Sequence, residues 1–204
     1  MKMQRVPKCF TDLIALKLTG RSTRLQFDDF KSDPILINNG TTQGDPDSML
    51  DYGSYNAPLI EVAKSLDKLS PGFVDDSMML AIGDNFADCH AKLKDMMERP
   101  GGGFDWSNTH NSPYELSKIA LMNFHRSHGE APPANLILDK PNLDGTVSTS
   151  SVAAVNSYKY LGVIFDPALR WKLQHAKVQA TATFWSSKIW CLSKTSSGLK
   201  PNDV

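Results

Sequence analysis

The spacing of apolar side chains along the chain predicts five helices. The clearest pattern starts at Phe86, where apolar or weakly polar residues follow at +3, +4, +7, +10 and +11 and form one helical face. A second pattern alternates steps of four and three residues from Trp171 to Leu192, which predicts a long helix that must bury two tryptophans. The predicted helices cover residues 6–19, 47–68, 86–97, 105–117 and 171–192.

Apolar runs between turn-forming residues predict the strands. Residues 22–30 and 34–39 form a hairpin around a Lys-Ser-Asp-Pro turn. Phe73-Val74 and Met78–Ile82 form two short apolar strands, with Asp75-Asp76-Ser77 as the turn between them. The remaining predicted strands are 118–124, a short one over 135–138 within an irregular insertion at 126–150, and 158–165, which is the strongest single strand.

Composition excludes some classes of protein. The 204 residues carry 41% hydrophobic and 22% charged side chains, which is typical of a globular chain. No apolar run approaches the ~18 residues that a membrane span needs, so no membrane association is expected. The first residues, Met1–Pro7, hold no apolar signal-peptide core, so we expect an intracellular protein, nuclear or cytoplasmic and not secreted.

The formal net charge is zero, but the charges are unevenly distributed. Residues 1–24 hold six basic side chains against one acidic, and residues 166–204 hold six against two. The middle, residues 25–165, holds ten basic side chains against nineteen acidic ones. An acidic centre between basic ends is compatible with a metal site beside a nucleic-acid track, although chance clustering on a solvated surface explains the same numbers.

The feature with most chemical content is the sequence Phe73-Val74-Asp75-Asp76. Two adjacent carboxylates at the tip of an apolar hairpin repel each other unless a cation offsets their charge. Mg²⁺ prefers oxygen ligands and commonly binds one or two carboxylates together with substrate phosphates. Aspartates are also ordinary turn formers, so the pair alone is not decisive. A second pair, Asp28-Asp29, is expected to lie within a strand rather than at a tip.

Three neighbouring motifs accompany the acidic pair. About thirty residues upstream lies a loop in which Gln43 offers an amide, Gly44 lets the backbone approach a ligand, and Pro46 starts a helix together with Ser48. Downstream, Lys118 leads an apolar strand. The third motif is Tyr160-Leu161-Gly162.

In this order the motifs resemble the reverse transcriptase family, in the form found in non-LTR, LINE-like retrotransposons. By that resemblance, Phe73–Asp76 is the metal-binding hairpin, with Asp75 and Asp76 as catalytic metal ligands, and Lys118 donates a proton to the leaving pyrophosphate. Residues Gln43, Gly44, Pro46 and Ser48 contact the incoming nucleotide and template, and Tyr160, Leu161 and Gly162 belong to the primer grip. The cofactor would be Mg²⁺, two ions in the complete enzyme, with weak or absent binding in this chain. The partners would be an RNA template, a DNA primer and a deoxynucleoside triphosphate.

The resemblance also implies an α+β fold. It would comprise a polymerase palm-like antiparallel sheet with helices packed on one face over residues 1–166, followed by the helical start of a thumb over residues 167–204. The family carries its first metal-binding aspartate on a strand before the glutamine-glycine loop, and no residue here matches it, because Asp12 lies in a helical pattern. We therefore expect a partial polymerase that lacks the fingers, is inactive on its own, and depends on a missing segment or another subunit.

Two other functions remain compatible with the sequence. A non-catalytic palm remnant could bind nucleic acid or protein without any reaction. An unrelated magnesium-dependent nuclease could use the acidic pair, provided that further carboxylates such as Asp45 or Asp51 converge on Asp75.

Overall fold

The computed structural model describes residues 6–38, 40–42, 44–63, 65–125, 135–142 and 144–193. These residues form a mixed α+β structure of helices and short antiparallel strand pairs. The five α-helices are α1 (Lys8–Leu18), α2 (Ser48–Ile60), α3 (Phe86–Glu98), α4 (Gly103–Thr109) and α5 (Lys172–Ser193), with a 3₁₀ turn over Leu116–Lys118. None of the described helices combines the length and the apolarity needed to cross a bilayer.

The twelve described strands pair two by two in antiparallel ladders and do not merge into one broad sheet. Two hairpins are nested, with β2–β3 inside the β1–β4 pair and β6–β7 inside the β5–β8 pair. The strands are β1 (Ser22–Thr23), β2 (Gln26–Phe27), β3 (Phe30–Lys31), β4 (Ile35–Leu36), β5 (Lys68–Leu69), β6 (Gly72–Phe73), β7 (Asp76–Ser77), β8 (Leu80–Ala81), β9 (Asn135–Pro141), β10 (Val147–Ala153), β11 (Tyr158–Tyr160) and β12 (Val163–Phe165).

Ten of the eleven buried apolar side chains in the described part of the chain form two clusters, and each cluster includes a methionine of α3. The strand-side cluster includes Met97 and packs α3 and α4 against the β9–β10 hairpin. The helix-side cluster includes Met96 and joins α2 to α4. Members of the strand-side cluster are Met97, Phe104, Leu121, Leu136, Leu138 and Val152, and members of the helix-side cluster are Leu59, Val62, Met96 and Trp106.

Ion pairs fasten α3 to its surroundings. Its first turn is capped by Asn85, whose side chain accepts a hydrogen bond from the Asp88 amide. Lys92 bridges Asp67 at 2.7 Å, in the turn before β5, and Asp88 at 2.8 Å within the helix. Hydrogen bonds from Lys92 and then Ser65 lower the pKa of Asp67 to about 2. Lys94 bridges Asp139 of β9 at 2.9 Å, so α3 is tied to both neighbouring hairpins.

Three predicted elements end differently in the structure. The helix predicted to reach residue 68 stops at Ile60, two residues after Pro58, and the chain then turns into β5. The helix predicted over 105–117 ends at Thr109, because Asn111 adopts a left-handed backbone (φ 48°) just before Pro113. The strand predicted over 118–124 is reduced to one bridge between Leu121 and Ala154.

The C-terminal half also departs from the predictions. Residues 158–165 form a hairpin rather than a single strand, because Leu161 and Gly162 both adopt positive φ (47° and 85°) and reverse the chain. The strand predicted over 135–138 is longer and pairs with β10 along seven residues. Part of the insertion predicted over 126–150, residues 126–134 and Leu143, lies outside the described residues.

Helix α5 forms where it was predicted, but its seam is exposed. Trp171 and Trp185 are 42% and 59% exposed, so the described residues of this chain do not bury the two rings. The helix meets the β11–β12 hairpin at its first turns, where Gln174 accepts a hydrogen bond from the Ile164 amide at 2.9 Å. The Lys177 ammonium donates to the Gly162 carbonyl at 2.7 Å. Residues 194–204 of the predicted thumb lie outside the described residues.

Candidate functional site

The acidic pair lies on the turn of the β6–β7 hairpin. Phe73 pairs with Asp76 across the ladder, so the two turn residues are Val74 and Asp75, one position earlier than the predicted Asp75–Ser77 turn. Both aspartates are exposed. Neither carboxylate forms an ion pair or a hydrogen bond with another described residue. The hairpin therefore presents two negative side chains to solvent with no counter-charge from another described residue.

The second acidic pair is a turn as well. Asp28 and Asp29 occupy the tip of the β2–β3 hairpin, with Phe27 and Phe30 stacked beneath them at 4.8 Å between ring centroids. The prediction that this pair lies within a strand is wrong, because the flanking phenylalanines face each other across a two-residue turn instead of continuing one strand. An acidic hairpin tip alone therefore does not distinguish Asp75-Asp76 in this chain.

What distinguishes the β6–β7 hairpin is its support by α2. The buried Asn56 side chain donates a hydrogen bond to the Val74 carbonyl at 2.7 Å. One turn later, the Ser70 hydroxyl donates to the Leu59 carbonyl at 3.1 Å. Ile60 packs close to Gly72, since a Cβ added to Gly72 would lie 3.7 Å from the Ile60 Cγ1. The hairpin is thus fixed to the second half of α2.

The loop that begins α2 carries the predicted nucleotide-binding residues. Gln43 lies outside the described residues, whereas Gly44 adopts a left-handed backbone (φ 87°) and Pro46 is exposed in the turn before the helix. Ser48 starts α2, and its hydroxyl donates to the Thr42 carbonyl at 2.7 Å. Eight residues separate Ser48 from Asn56, which is roughly 12 Å along the helix axis. The loop and the acidic turn therefore share one rigid support.

Acidic side chains surround the same loop. Lys17 of α1 bridges Asp45 at 2.6 Å and Asp47 at 2.9 Å, and hydrogen bonds to these two carboxylates raise the pKa of Lys17. Asp51, half-buried in the first turn of α2, has a buried carboxylate oxygen without a hydrogen-bond partner, and burial raises its pKa. Lys17 therefore holds the loop against α1 and neutralises two of the three acids.

The Tyr160-Leu161-Gly162 turn lies within electrostatic range of the acidic hairpin. Burial raises the pKa of Tyr160, and the negative charge of Asp76 raises it further. Leu161 and Gly162 are exposed at the tip of the β11–β12 hairpin. The Asp76 charge therefore acts on the Tyr160 hydroxyl, and Lys177 of α5 hydrogen-bonds to the Gly162 carbonyl of the same turn.

Lys118 is not brought to the acidic pair by any described contact. It ends the 3₁₀ turn, is largely exposed, and pairs with Glu115 at 2.5 Å. A hydrogen bond to Glu115 raises the pKa of Lys118.

Sequence reasoning missed two residues near the hairpin, Asn56 and Tyr114. Burial raises the pKa of Tyr114 to about 12, and a hydrogen bond with the Ser77 side chain opposes that rise. An asparagine within a helix was the one available signal, and its partner lies eighteen residues away.

The donor set at the acidic turn fits a magnesium ion in part. Two exposed carboxylates are the number that Mg²⁺ commonly takes from a protein, with water and substrate phosphates completing its coordination. Within the described part of the chain, no three His, Cys, Asp or Glu side chains converge to hold a metal ion. Asp45 and Asp51 accordingly do not join Asp75 in such a group.

Comparison of the chain with models of known protein families, with curated proteins and with solved structures finds no match.

Proposed function

We propose that this chain carries the palm elements of a reverse transcriptase of the non-LTR retrotransposon type, which copies RNA into DNA by two-metal nucleotidyl transfer. The observation that supports the proposal is the coupling of two motifs through α2. The helix begins in the loop that holds Gly44, Pro46 and Ser48, and its Asn56 binds the turn that carries Asp75. Two motifs that resemble those of one polymerase family are therefore joined by a direct structural connection.

Each element has a role under this proposal. Asp75 and Asp76 would hold Mg²⁺, which supplies charge neutralisation for the reacting phosphates. The Gly44–Ser48 loop, with Gln43 before it, would contact the incoming deoxynucleoside triphosphate and the RNA template. Tyr160 would position the DNA primer together with Leu161 and Gly162. The nested hairpins and their helices would correspond to a palm, and α5 to the start of a thumb.

The same proposal implies that the chain alone does not catalyse synthesis. Two-metal transfer needs carboxylates that converge on both ions, and the described residues add no third ligand to Asp75 and Asp76. Lys118, which would protonate the leaving pyrophosphate, is paired with Glu115. We therefore propose that a segment or subunit carrying a further strand-borne aspartate completes the site, in the nuclear or cytoplasmic compartment that holds the RNA template.

The two acidic turns allow a matched test of metal binding. Mn²⁺ binding is followed by electron paramagnetic resonance in the native chain, in the D75N/D76N variant and in the D28N/D29N control. We expect D75N/D76N to weaken binding at least about tenfold, because it removes both charged ligands, whereas D28N/D29N leaves binding unchanged. Equal effects of the two double variants would show that the ion follows acidic turns in general, and the polymerase assignment of Asp75 and Asp76 would lose its basis.

Primer extension tests the catalytic half of the proposal. With an RNA template, a DNA primer, deoxynucleoside triphosphates and Mg²⁺, we expect no detectable product from this chain alone. Magnesium-dependent product that D75N abolishes would contradict the need for a further aspartate while supporting the family.

A further inference from the structure

The turn that carries Asp75 has an unusual backbone. Val74, the first of the two turn residues, adopts a positive φ of 52°, in the backbone region that favours glycine. A β-branched side chain is strongly disfavoured in this region because its Cβ crowds the following backbone. A hydrogen bond from outside the hairpin would therefore stabilise this conformation of Val74.

The Asp28-Asp29 turn provides an internal comparison. Asp28 also has a positive φ, 48°, at the first turn position. Aspartate is several-fold enriched in this backbone region because its short polar side chain bonds locally. No described side chain hydrogen-bonds to the backbone of Asp28. The Asp28 turn, whose residue tolerates a positive φ, has no hydrogen bond from a described side chain. The Val74 turn, whose residue tolerates it poorly, has the hydrogen bond from Asn56.

The geometry of Asn56 indicates a dedicated contact. Its residue is 6% exposed, and its Nδ2 donates to the Val74 carbonyl while its Oδ1 is buried without a partner. Because the partner is a carbonyl, the amide orientation is fixed: an oxygen 2.7 Å from that carbonyl would be repulsive. A buried amide with an unpaired oxygen is destabilising. An apolar side chain would be the more stable choice at this position if packing were its role.

The Val74 carbonyl has no partner in the hairpin ladder. Pairing runs from Gly72 to Ser77 and from Phe73 to Asp76, so the carbonyls of the two turn residues lie outside it. Asn56 reaches this carbonyl from α2, the helix that begins in the Gly44–Ser48 loop. A change in the orientation of α2 would thus be transmitted to the peptide that precedes Asp75.

We infer that Asn56 is a positioning residue: its side-chain amide holds Val74 in the left-handed conformation and thereby fixes the turn that presents Asp75 and Asp76. The role of Asn56 in fixing the turn does not depend on the proposed function. Only the assignment of Mg²⁺ as the ligand of the two carboxylates rests on the proposed function. Asn56 itself touches neither carboxylate, and it acts through the Val74 peptide.

The test separates this role from ordinary packing. Asn56→Leu keeps the branched shape of the side chain while removing both the donor and the unpaired oxygen. We expect its global stability in urea to equal or exceed that of the native chain. Native-state hydrogen exchange at the Asp76 amide, beside the turn, is expected to quicken about five- to tenfold, the equivalent of one lost hydrogen bond. Exchange at Phe30, beside the control turn, stays constant.

The second variant tests whether the effect passes through Val74. Val74→Gly removes the conformational penalty, so the turn no longer needs Asn56. In the N56L/V74G double variant we expect Asp76 exchange to return to within about twofold of the V74G value. Unchanged Asp76 exchange in N56L, or a double variant that exchanges as fast as N56L, would overturn the inference.

Failure of the proposed function has a different signature. If Mn²⁺ binding does not depend on Asp75 and Asp76 while N56L loosens the turn and V74G restores it, the positioning role stands and the polymerase proposal fails. If Mn²⁺ binding depends on the two acids but N56L leaves the turn unaltered, the positioning role fails and the metal assignment stands.

Discussion

Replacing Leu138 by alanine tests whether the β9–β10 hairpin is a structural part of the core. Leu138 is 2% exposed and lies in the strand-side cluster with Met97 and Phe104. Leucine to alanine removes three carbons, worth about 2.4 kcal/mol at ~0.8 kcal/mol per buried methylene. The remaining cavity raises the expected loss to about 3–4 kcal/mol. That is a large share of the roughly 5–15 kcal/mol by which a domain is stable.

Leu36 provides the matched control. It is also a strand leucine, in β4, but it is 70% exposed. Leu36→Ala is therefore expected to change the free energy of unfolding by no more than about 0.5 kcal/mol. Urea unfolding of both variants, followed by far-ultraviolet circular dichroism, measures the difference. A loss below about 1 kcal/mol for L138A, or equal losses for the two variants, would refute the placement of the core between α3 and this hairpin.

Two further predictions concern charge and buried polarity. Interaction with Lys92 lowers the folded-state pKa of Asp67 to about 2, below the unfolded value of about 3.9. The contribution of Asp67 to stability is therefore complete only above about pH 5 and is lost as the pH falls toward 2. Urea midpoints measured between pH 6 and pH 2.5 should therefore fall less in D67N than in the native chain, and parallel curves would contradict this. His90 and Asn123 are both buried and share a hydrogen bond of 2.8 Å. N123A is expected to lower the free energy of unfolding by about 1–3 kcal/mol, and the apolar pair H90F/N123L by less. A double variant that is less stable than N123A would show that the hydrogen bond is not the relevant interaction.

Local patterns were sufficient to locate the helices that carry one clear apolar face. The apolar face predicted from Phe86 to Met97 corresponds to α3. Its last two residues, Met96 and Met97, belong to different buried clusters. The acidic turn was predicted within one residue of its position, because apolar residues flank it on both sides. These elements depend on short-range spacing that the sequence records directly.

Interactions between distant residues account for what was missed. The mostly apolar run over 158–165 fits one strand as well as two strands joined by a tight turn, and only Gly162 signalled the reversal. Asp28-Asp29 was misplaced for the same reason, since its flanking phenylalanines fit a continuous strand. The contact between Asn56 and Val74 joins a helix to a turn eighteen residues away, and no local pattern records it. The functional roles of the site residues stay predictions.

The arrangement of the two methionines on α3 has a consequence for how the protein opens. Adjacent residues of a helix point about 100° apart, so Met96 and Met97 anchor the same turn in two different interiors. Because Met79 and Tyr114 pack against both clusters, a fluctuation that lifts this turn exposes residues of both clusters together. The described elements that pack around α3 are therefore expected to open as one cooperative unit, in which detachment of α3 admits water to both clusters.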